Sequence, residues 1–266
     1  MTEKAKAYGD SEGRQRFLPV YPAVMGILNV TPDSFFSDSR CPDNDTLRDS
    51  ALRMASEGAD ILDVGACSTR PGSTPVSETE ELNRLLPALE VLRNILPDMP
   101  LSIDTFHRSV AEECVRQYGP MLINDVSGGD AALSGIPYVL TCTDADPQNF
   151  FARRIPRLLD AGIDDLCLDP GFGFGKTIED NYRILMHLEE LQPFGFPLLV
   201  GISRKSMIYK VLNATPEDSL YGTVALNTIA LHKGTAILRV HDVLPAVQTI
   251  ALLRKSGMLP LDSKTD

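Results

Sequence analysis

The stretch Leu-Cys-Leu-Asp-Pro-Gly-Phe-Gly-Phe-Gly-Lys-Thr at residues 166–177 says most about the fold. It opens with an apolar run that predicts a buried strand ending on Asp169, a carboxylate that an apolar core would not hold without partners. Glycines alternating with phenylalanines follow, and then Lys176. Glycine lets the backbone approach a flat ligand closely, and aromatic rings can stack on such a ligand. The stretch therefore predicts a strand whose exit loop binds a flat molecule.

Two common glycine-rich loops do not fit this stretch. A Walker A loop requires a glycine where this chain has Pro170, because Gly171 comes one place too late, and the dinucleotide-binding fingerprint is not matched either. For this stretch alone, a simple tight turn remains the alternative. A binding loop is favoured because several other apolar runs of the chain end in polar residues in the same way.

The rest of the chain repeats this pattern. Strands are predicted at about residues 20–30, 59–65, 101–103, 121–123, 136–140, 166–169, 197–202 and 236–240. Helical segments separate them, and Gly58, Gly119, Gly162 and Gly234 each end a helix before a strand. Strands alternating with helices predict a parallel sheet with right-handed crossovers.

Eight such units in a chain of this length predict an α/β fold, a single-domain (βα)8 TIM barrel. A doubly wound open sheet is the alternative, but its glycine-rich fingerprint does not follow the first strand. We expect residues 1–20 to be a flexible N-terminal segment, residues 21–259 to be the barrel domain and residues 260–266 to be a C-terminal tail.

Composition narrows the possible partners. The chain has 266 residues and a net charge of −11, which argues against nucleic acid as the main partner. An anionic substrate would need a local cluster of cations. The five cysteines are odd in number and never form a C-x-x-C pair, which indicates free thiols in a reducing cytosol. The sequence has neither a secretory signal nor an apolar run long enough to cross a membrane, so we expect a cytoplasmic protein without a membrane partner.

The chemistry is expected at the strand ends, because TIM barrels keep their active sites at the carboxyl ends of the strands. The polar residues at these ends are Asn29, Asp63, Thr69, Arg70, Asp104, Asn124, Asp169, Lys205, Arg239 and His241. The acids and amides suit a heterocycle with N–H donors and ring acceptors, whereas the cations suit a phosphate or diphosphate. Any one of these acids could be a cap or a salt-bridge residue, but so many together predict a site.

Other kinds of chemistry find no support in the sequence. The four histidines lie far apart, and neither H-E-x-x-H nor cysteines at zinc spacing occur. Only Mg²⁺ held mainly by a diphosphate, with one protein oxygen, fits. A G-x-S-x-G nucleophile elbow is not present. Cys67 lies in a functional-looking loop, but a lone cysteine without a nearby base is expected to be a bystander.

Seven blocks of the chain together resemble the dihydropteroate synthase family. They are Asn-Val-Thr-Pro-Asp-Ser-Phe at 29–35, Asp-Val-Gly at 63–65 with Ser-Thr-Arg-Pro-Gly at 68–72, Ile-Asp-Thr at 103–105, Ile-Asn-Asp at 123–125, Asp-Pro-Gly-Phe-Gly-Phe-Gly-Lys at 169–176, Ser-Arg-Lys-Ser at 203–206 and Arg-Val-His-Asp at 239–242. The resemblance spans roughly residues 23–256, with the blocks in the family's order.

The resemblance implies a reaction and a set of residue roles. p-Aminobenzoate would displace diphosphate from 6-hydroxymethyl-7,8-dihydropterin diphosphate, giving 7,8-dihydropteroate. By resemblance, Asp104, Asn124, Asp169 and Lys205 would bind the pterin, with Asp104, Asp169 and Lys205 catalytic. Thr69, Arg70, Arg239 and His241 would bind the diphosphate, and Asn29 would contact Mg²⁺. Phe35, Pro71, Phe174, Lys205 and Ser206 would line the p-aminobenzoate pocket. The resemblance also implies a homodimer, with exposed apolar residues of the late helices as the place to look.

The end of the fifth predicted strand departs from the family. The family carries a His-Met-x-Gly stretch there, whereas this chain has Thr-Cys-Thr-Asp at residues 141–144. A methionine expected against the pterin is replaced, and whether Cys142 takes its place is left open. The departure keeps two alternatives in view, a non-catalytic or altered-substrate pterin-binding paralogue and a pterin-dependent methyltransferase barrel. The methyltransferase would not need the two cationic blocks at residues 203–206 and 239–242.

Overall fold

The structure is a computed structural model that describes residues 22–30, 43–67, 76–130 and 132–260. It also describes the backbone of two short segments, Tyr8–Gly9 and Gln15–Arg16, which pair antiparallel outside the main sheet. Most residues of the expected N-terminal segment and C-terminal tail lie outside the described ranges, so those two domain limits stay predictions.

Eight parallel strands form one sheet that closes into a barrel. They are β1 (Ala23–Asn29), β2 (Ile61–Gly65), β3 (Leu101–Asp104), β4 (Leu122–Asp125), β5 (Tyr138–Thr141), β6 (Leu166–Asp169), β7 (Leu199–Val200) and β8 (Ile237–Val240). Their order is β6-β5-β4-β3-β2-β1-β8-β7, and a parallel bridge between Leu168 and Leu198 joins the two edge strands. The predicted α/β TIM barrel is therefore confirmed.

Helices follow the strands around the outside of the barrel. They are α1 (Asp43–Glu57), α2 (Glu78–Ile95), α3 (Arg108–Tyr118), α4 (Pro147–Asp160), α5 (Ile178–Met186), α6 (Ser206–Tyr209), α7 (Leu220–His232) and α8 (Val243–Lys255). Thr177 caps α5, since its hydroxyl accepts from the Asp180 N–H at 3.0 Å while the Asp180 carboxylate accepts from the Thr177 N–H at 3.2 Å. This reciprocal arrangement is a capping box, which satisfies two backbone N–H groups at the start of the helix.

Four helix-ending glycines behave as predicted. Gly58, Gly119, Gly162 and Gly234 have φ values of 101°, 81°, 78° and 92°. A side chain at such φ is strained, so glycine lets the chain leave each helix and turn into the next strand.

Side-chain alternation along the strands separates two apolar layers. The layer inside the barrel consists of Met25, Ile61, Leu122, Val139, Cys167, Leu199 and Ile237. A larger layer fills the space between the strands and the helices. Because successive side chains of a strand point to opposite faces, the layer inside the barrel fixes which later residues point into its upper mouth.

The carboxyl ends of several strands differ from prediction. β3 and β5 each extend one residue further, to Asp104 and Thr141, and β4 extends two further, to Asp125, because the polar residues at these exits still pair with a neighbouring strand. β7 is only two residues long, although an apolar run predicted residues 197–202. The chain turns there, since the Lys205 N–H already donates to the Ile202 carbonyl at 3.2 Å.

Within the described residues, no helix combines the length and the apolar character that crossing a bilayer requires.

Candidate active site

The predicted acids and cations meet at one rim of the barrel. Asp104 and Asp169 are the last residues of β3 and β6. Arg239 lies near the end of β8, and Lys205 follows β7. All of the strands are parallel, so these side chains share the carboxyl-terminal mouth that TIM barrels use for chemistry.

One side of this mouth is an arginine cluster, formed by Asp63, Asp104, Asn124 and Arg239. Arg239 Nε donates to Asp63 Oδ2 at 2.6 Å, and Arg239 Nη2 donates to Asp104 Oδ2 at 2.7 Å. Asn124 Nδ2 donates to the same Asp63 oxygen at 3.0 Å. One guanidinium therefore links two carboxylates from neighbouring strands, and three of its five N–H donors are not used by these contacts.

The arginine cluster is held away from water, and this shifts its protonation. Asp63 is fully buried, while the Asp104 side chain retains 11% of its exposure. Burial raises the pKa of Asp104 to about 7, although Arg239 opposes the shift. Burial alone would lower the pKa of Arg239, but the two carboxylates outweigh it and raise the pKa above its usual value. The cluster thus holds a carboxyl group that titrates near neutrality next to a permanently charged arginine.

The other side of the mouth is the glycine-rich loop, residues 170–176. Asp169 Oδ1 accepts from the Gly171 N–H at 2.7 Å, which turns one carboxylate oxygen toward the loop. Gly173 N–H donates at 2.8 Å to Oδ1 of Asn181, a buried residue of α5. Burial raises the pKa of Asp169, and the nearby Lys205 ammonium opposes that shift. The loop is therefore fixed at both of these glycines by side chains.

Lys205 lies across the glycine-rich loop. Its ammonium donates to the Phe172 carbonyl and lies 4.8 Å from the centroid of the Phe174 ring, within cation–π range. A Cβ at Gly173 would come within 3.2 Å of Lys205 Cδ, so glycine makes room for the lysine stem. Burial lowers the pKa of Lys205 to about 8. Lys205 and Phe174, which the family resemblance assigns to one pocket, therefore lie close together.

The Lys176 ammonium contacts backbone carbonyls, although a cation at the end of a glycine-rich loop suggests a role in binding a ligand. Its ammonium donates to the carbonyls of Cys142, Gly171 and Phe174 at 2.8, 3.0 and 3.3 Å. Burial lowers its pKa. Gly171 has a φ of 72°, and a Cβ there would lie 1.8 Å from the Cys142 carbonyl oxygen. Lys176 therefore braces the glycine-rich loop against the exit of β5.

The cationic block at residues 203–206 contributes one cation to the mouth, not two. Arg204 donates to both carboxylate oxygens of Asp242 at 2.8 and 2.9 Å and to the carbonyls of Pro216 and Glu217. These contacts leave Lys205, the residue of this block that the sequence analysis names, as its cation at the mouth. Its φ of 56° shows that the chain makes a sharp turn here, which separates its direction from that of Lys205.

Two further predicted site residues, Ser206 and His241, lie close to Lys205 and Arg239 in the chain. Ser206 is the first residue of α6 and is partly exposed. The His241 backbone N–H donates to Ser203 Oγ at 3.2 Å, which ties the exit of β8 to that of β7. Both residues thus follow strands that open into the same mouth.

Asn29 ends β1, where its register partner on β2 is Gly65. A Cβ placed on Gly65 would come within 3.4 Å of Asn29 Oδ1 and within 3.5 Å of Asp104 Cβ. The missing side chain leaves a small cradle with an amide oxygen at its edge. Within the described residues, no group of three or more His, Cys, Asp and Glu could hold a metal ion. One amide oxygen and no protein cage fit a Mg²⁺ ion held mainly by substrate oxygens.

A buried carboxylate near the mouth was not predicted. Glu81 of α2 is fully buried, and its Oε2 lies 2.6 Å from His107 Nδ1. Burial, with Glu81 next in importance, raises the pKa of Cys67 to about 12, so this thiol stays protonated and fits the bystander interpretation. Glu81 lies in the acidic first turn of α2, where the sequence gives no sign that one acid is buried.

Several predictions fall on residues that are not described, and one open question is answered. Phe35, Thr69, Arg70 and Pro71 lie outside the described residues. Cys142 is fully buried in the layer between strands and helices, and its thiol contacts the Asp144 carbonyl at 3.3 Å. Cys142 therefore faces away from the barrel interior and does not take the place of the methionine.

Comparison with known proteins identifies the family. Residues 25–241 match the model of the family described as Pterin binding enzyme. The chain is 39% identical over 260 residues to the dihydropteroate synthase of Escherichia coli strain K12, covering 88% of this chain and 91% of that protein.

Solved structures agree with this match. The Xanthomonas albilineans dihydropteroate synthase with 4-aminobenzoic acid is 37% identical, with a TM-score of 0.81 over 90% of this chain and 94% of that one. The Burkholderia cenocepacia dihydropteroate synthase complexed with 7,8-dihydropteroate is 36% identical, with a TM-score of 0.77 over 89% and 91%. The chain therefore belongs to the pterin binding enzyme family, the family of its dihydropteroate synthase relatives.

Proposed function

We propose that this chain is a transferase of folate biosynthesis with dihydropteroate synthase activity. It condenses 6-hydroxymethyl-7,8-dihydropterin diphosphate with p-aminobenzoate to 7,8-dihydropteroate and diphosphate. The observation that carries the proposal is the meeting of Asp104 and Asp169 with Arg239 and Lys205 at one mouth of the barrel. Acids for a nitrogen-rich ring and cations for its phosphates are both required by this reaction.

The ring would be bound by the acids and the amide. Asp169 and Asp104 can accept from the amino and ring N–H groups of a pterin, and Asn124 can both donate and accept. All three are largely buried, which strengthens hydrogen bonds to a ligand because water does not compete. Lys205 would donate to a ring acceptor once it leaves the Phe172 carbonyl.

The diphosphate would be bound by cations and by polar residues at the exits of β2 and β8. Arg239 retains donors for an anion, and His241 follows it in the chain. Thr69 and Arg70 complete this set by the family resemblance. Mg²⁺, held mainly by diphosphate oxygens with one oxygen from Asn29, would neutralise the leaving group. These residues hold the diphosphate while the bond to the pterin methylene breaks.

Charge explains how the chain would favour bond cleavage. Once the diphosphate leaves, positive charge develops on the pterin methylene and its conjugated ring. The carboxylates of Asp104 and Asp169 would stabilise this charge without reorganising at the moment of reaction. p-Aminobenzoate is a weakly basic amine that then needs positioning more than a strong base. Phe35, Pro71, Phe174, Lys205 and Ser206 would line its pocket.

Partners beyond the substrates are also part of the proposal. The described late part of the chain exposes large apolar side chains, namely Tyr221 at 86%, Leu252 at 71% and Leu212 at 53%. These exposed apolar residues favour a homodimer formed through the late helices, and the protein is expected in the cytoplasm. Sedimentation of the wild-type chain and of Tyr221→Asp tests this: a dimer that the substitution converts to a monomer supports the proposal, and a wild-type monomer contradicts it.

Diphosphate release tests the proposed activity against its alternatives. The purified chain is incubated with Mg²⁺ and pterin diphosphate, with and without p-aminobenzoate, and diphosphate and 7,8-dihydropteroate are measured. We expect release that depends strictly on the amine and matches dihydropteroate formation mole for mole. Binding of the pterin without any release would instead indicate the non-catalytic paralogue. A methyl group transferred from a methyl-pterin, with no diphosphate chemistry, would indicate the methyltransferase.

A further inference from the structure

The side chain of Thr141 points into the barrel mouth, whereas the side chains of the residues directly before and after it face the helices. Val139 of β5 belongs to the layer inside the barrel, whereas Leu140 and Cys142 belong to the layer outside it. Because side chains alternate along a strand, Thr141 lies on the inner face, one step above Val139. Its register partner on β6 is Asp169, so the two side chains lie next to each other at the same level of the mouth.

The hydroxyl of Thr141 is buried and has no protein partner. The residue retains 1% of its exposure, and within the described residues its Oγ1 has no hydrogen-bond partner. Burying a hydroxyl in this way costs free energy, because water can no longer satisfy it. Oδ1 of the neighbouring Asp169 already accepts a hydrogen bond from the Gly171 N–H. The orphan hydroxyl is thus left beside the acid that would grip the ring.

The other polar residues of the mouth are also almost fully buried, so the low exposure of Thr141 does not set it apart from them. Asp169 and Asn124 retain only 6% and 4% of their exposure. Thr141 lies on β5, between the strand that carries Asn124 and the strand that carries Asp169. An orphan donor and acceptor at this level is therefore placed for a ligand.

We propose that Thr141 is a specificity-determining residue that hydrogen-bonds the polar edge of the pterin held by Asp169. The inference rests on the proposed function and adds one residue to its ring-binding site. A carboxylate can only accept hydrogen bonds from that edge, whereas a hydroxyl can also donate to a ring nitrogen or carbonyl oxygen. Asp169 and Thr141 together would match an edge on which N–H groups and an acceptor are neighbours.

Calorimetric titration with 6-hydroxymethylpterin, an unreactive probe, tests the inference. Thr141→Val keeps the shape of the side chain and removes the hydroxyl, while Thr141→Ser keeps the hydroxyl. We expect the valine variant to raise Kd about five- to tenfold and the serine variant to stay within about twofold of wild type. The ligand-free valine variant should melt at the wild-type temperature or above, because an unsatisfied buried hydroxyl has been removed. If the valine variant does not fold, Thr141→Ala gives the same comparison.

Thr235 supplies the matched control. It is 2% exposed, its Oγ1 also has no hydrogen-bond partner within the described residues, and it precedes β8 at the opposite end of the barrel. Thr235→Val should leave Kd unchanged. Equal Kd values for wild type and Thr141→Val, or an equal loss in both valine variants, would overturn the role of Thr141 alone. A wild-type chain that does not bind the probe would instead overturn the proposed function.

Discussion

The two sides of the barrel mouth hold their charges in different ways. In the arginine cluster, the cation and the acids neutralise each other directly, with contacts of 2.6 and 2.7 Å. At the glycine-rich loop, the ammonium groups of Lys176 and Lys205 bond to backbone carbonyls. The difference indicates that the ion pairs of the arginine cluster stay in place when a ligand binds. The Lys205 ammonium, in contrast, can exchange the neutral Phe172 carbonyl for a ligand.

Replacing Arg239 should have the largest effect on this comparison. Arg239→Met leaves Asp63 and Asp104 buried without their cation, and we expect the free energy of unfolding to fall by about 3–5 kcal/mol. Urea denaturation at pH 7.5 measures this change. Arg53→Met removes an arginine that is 53% exposed and paired with Glu57 of the same helix, so it should cost less than about 0.5 kcal/mol. Similar losses of unfolding free energy for both variants would show that the ion pairs of the arginine cluster are not fixed parts of the fold.

Asp104→Asn should separate catalysis from stability. It removes a carboxylate whose charge the fold does not favour, since burial raises its pKa to about 7. Stability should therefore change little, while kcat should fall about a hundredfold, the loss typical of one stabilising electrostatic contact in a transition state. Steady-state diphosphate release gives kcat. Unchanged release with both substrates present would remove Asp104 from the mechanism.

A smaller effect is expected from Lys176, because it acts on the loop and not on the ligand. Lys176→Met leaves the carbonyls of Cys142, Gly171 and Phe174 without their donor, and we expect about a tenfold lower kcat/KM. Lys176→Arg keeps a donor and should recover part of the loss. If the methionine variant were fully active, the brace between the glycine-rich loop and β5 would have no functional meaning.

The pH dependence of kcat/KM should report both sides of the mouth. Asp104 loses its proton as pH rises through about 7, so activity that needs its negative charge should rise there. Lys205 loses its proton as pH rises through about 8, so activity that needs the ammonium should fall there. A narrow bell-shaped profile is therefore expected. A flat profile between pH 6 and pH 9 would contradict both assignments.

Lys176→Met also gives the smallest predicted change, a shift of the alkaline side of that profile. Burial lowers the pKa of Lys205 most; Asp169 and Asp104 raise it, and Arg239 and Lys176 lower it further. Removing the Lys176 charge should therefore move the alkaline limb to higher pH. A shift to lower pH would show that Lys205 is not the group that titrates.

Sequence reasoning recovered the barrel because the strand–helix repeat and the helix-ending glycines act locally. It also found the acids at the mouth, since strand ends in a barrel converge whatever the loops do. It chose Lys205 and not Arg204 for the mouth, but it could not show that Arg204 pairs with Asp242, because the two residues follow different strands. It also left open whether Cys142 takes the place of the family's methionine, because the predicted strand ended at residue 140.

The sequence also did not reveal contacts between residues that lie far apart in the chain. Glu81 meets His107 from a different helix, and Lys176 meets the Cys142 carbonyl from a different strand. Neither contact has a spacing signal in the sequence, because each depends on how separate units pack around the barrel.

A crystal structure of the chain with 7,8-dihydropteroate tests the central claim most directly. We expect the bicyclic ring between the two sides of the mouth, with its nitrogen atoms within about 2.7–3.2 Å of the Asp169 carboxylate and the Asn124 amide. The aminobenzoate part should extend toward Phe174 and Ser206. Dihydropteroate bound elsewhere, with Asp169 and Asn124 free of it, would contradict the account.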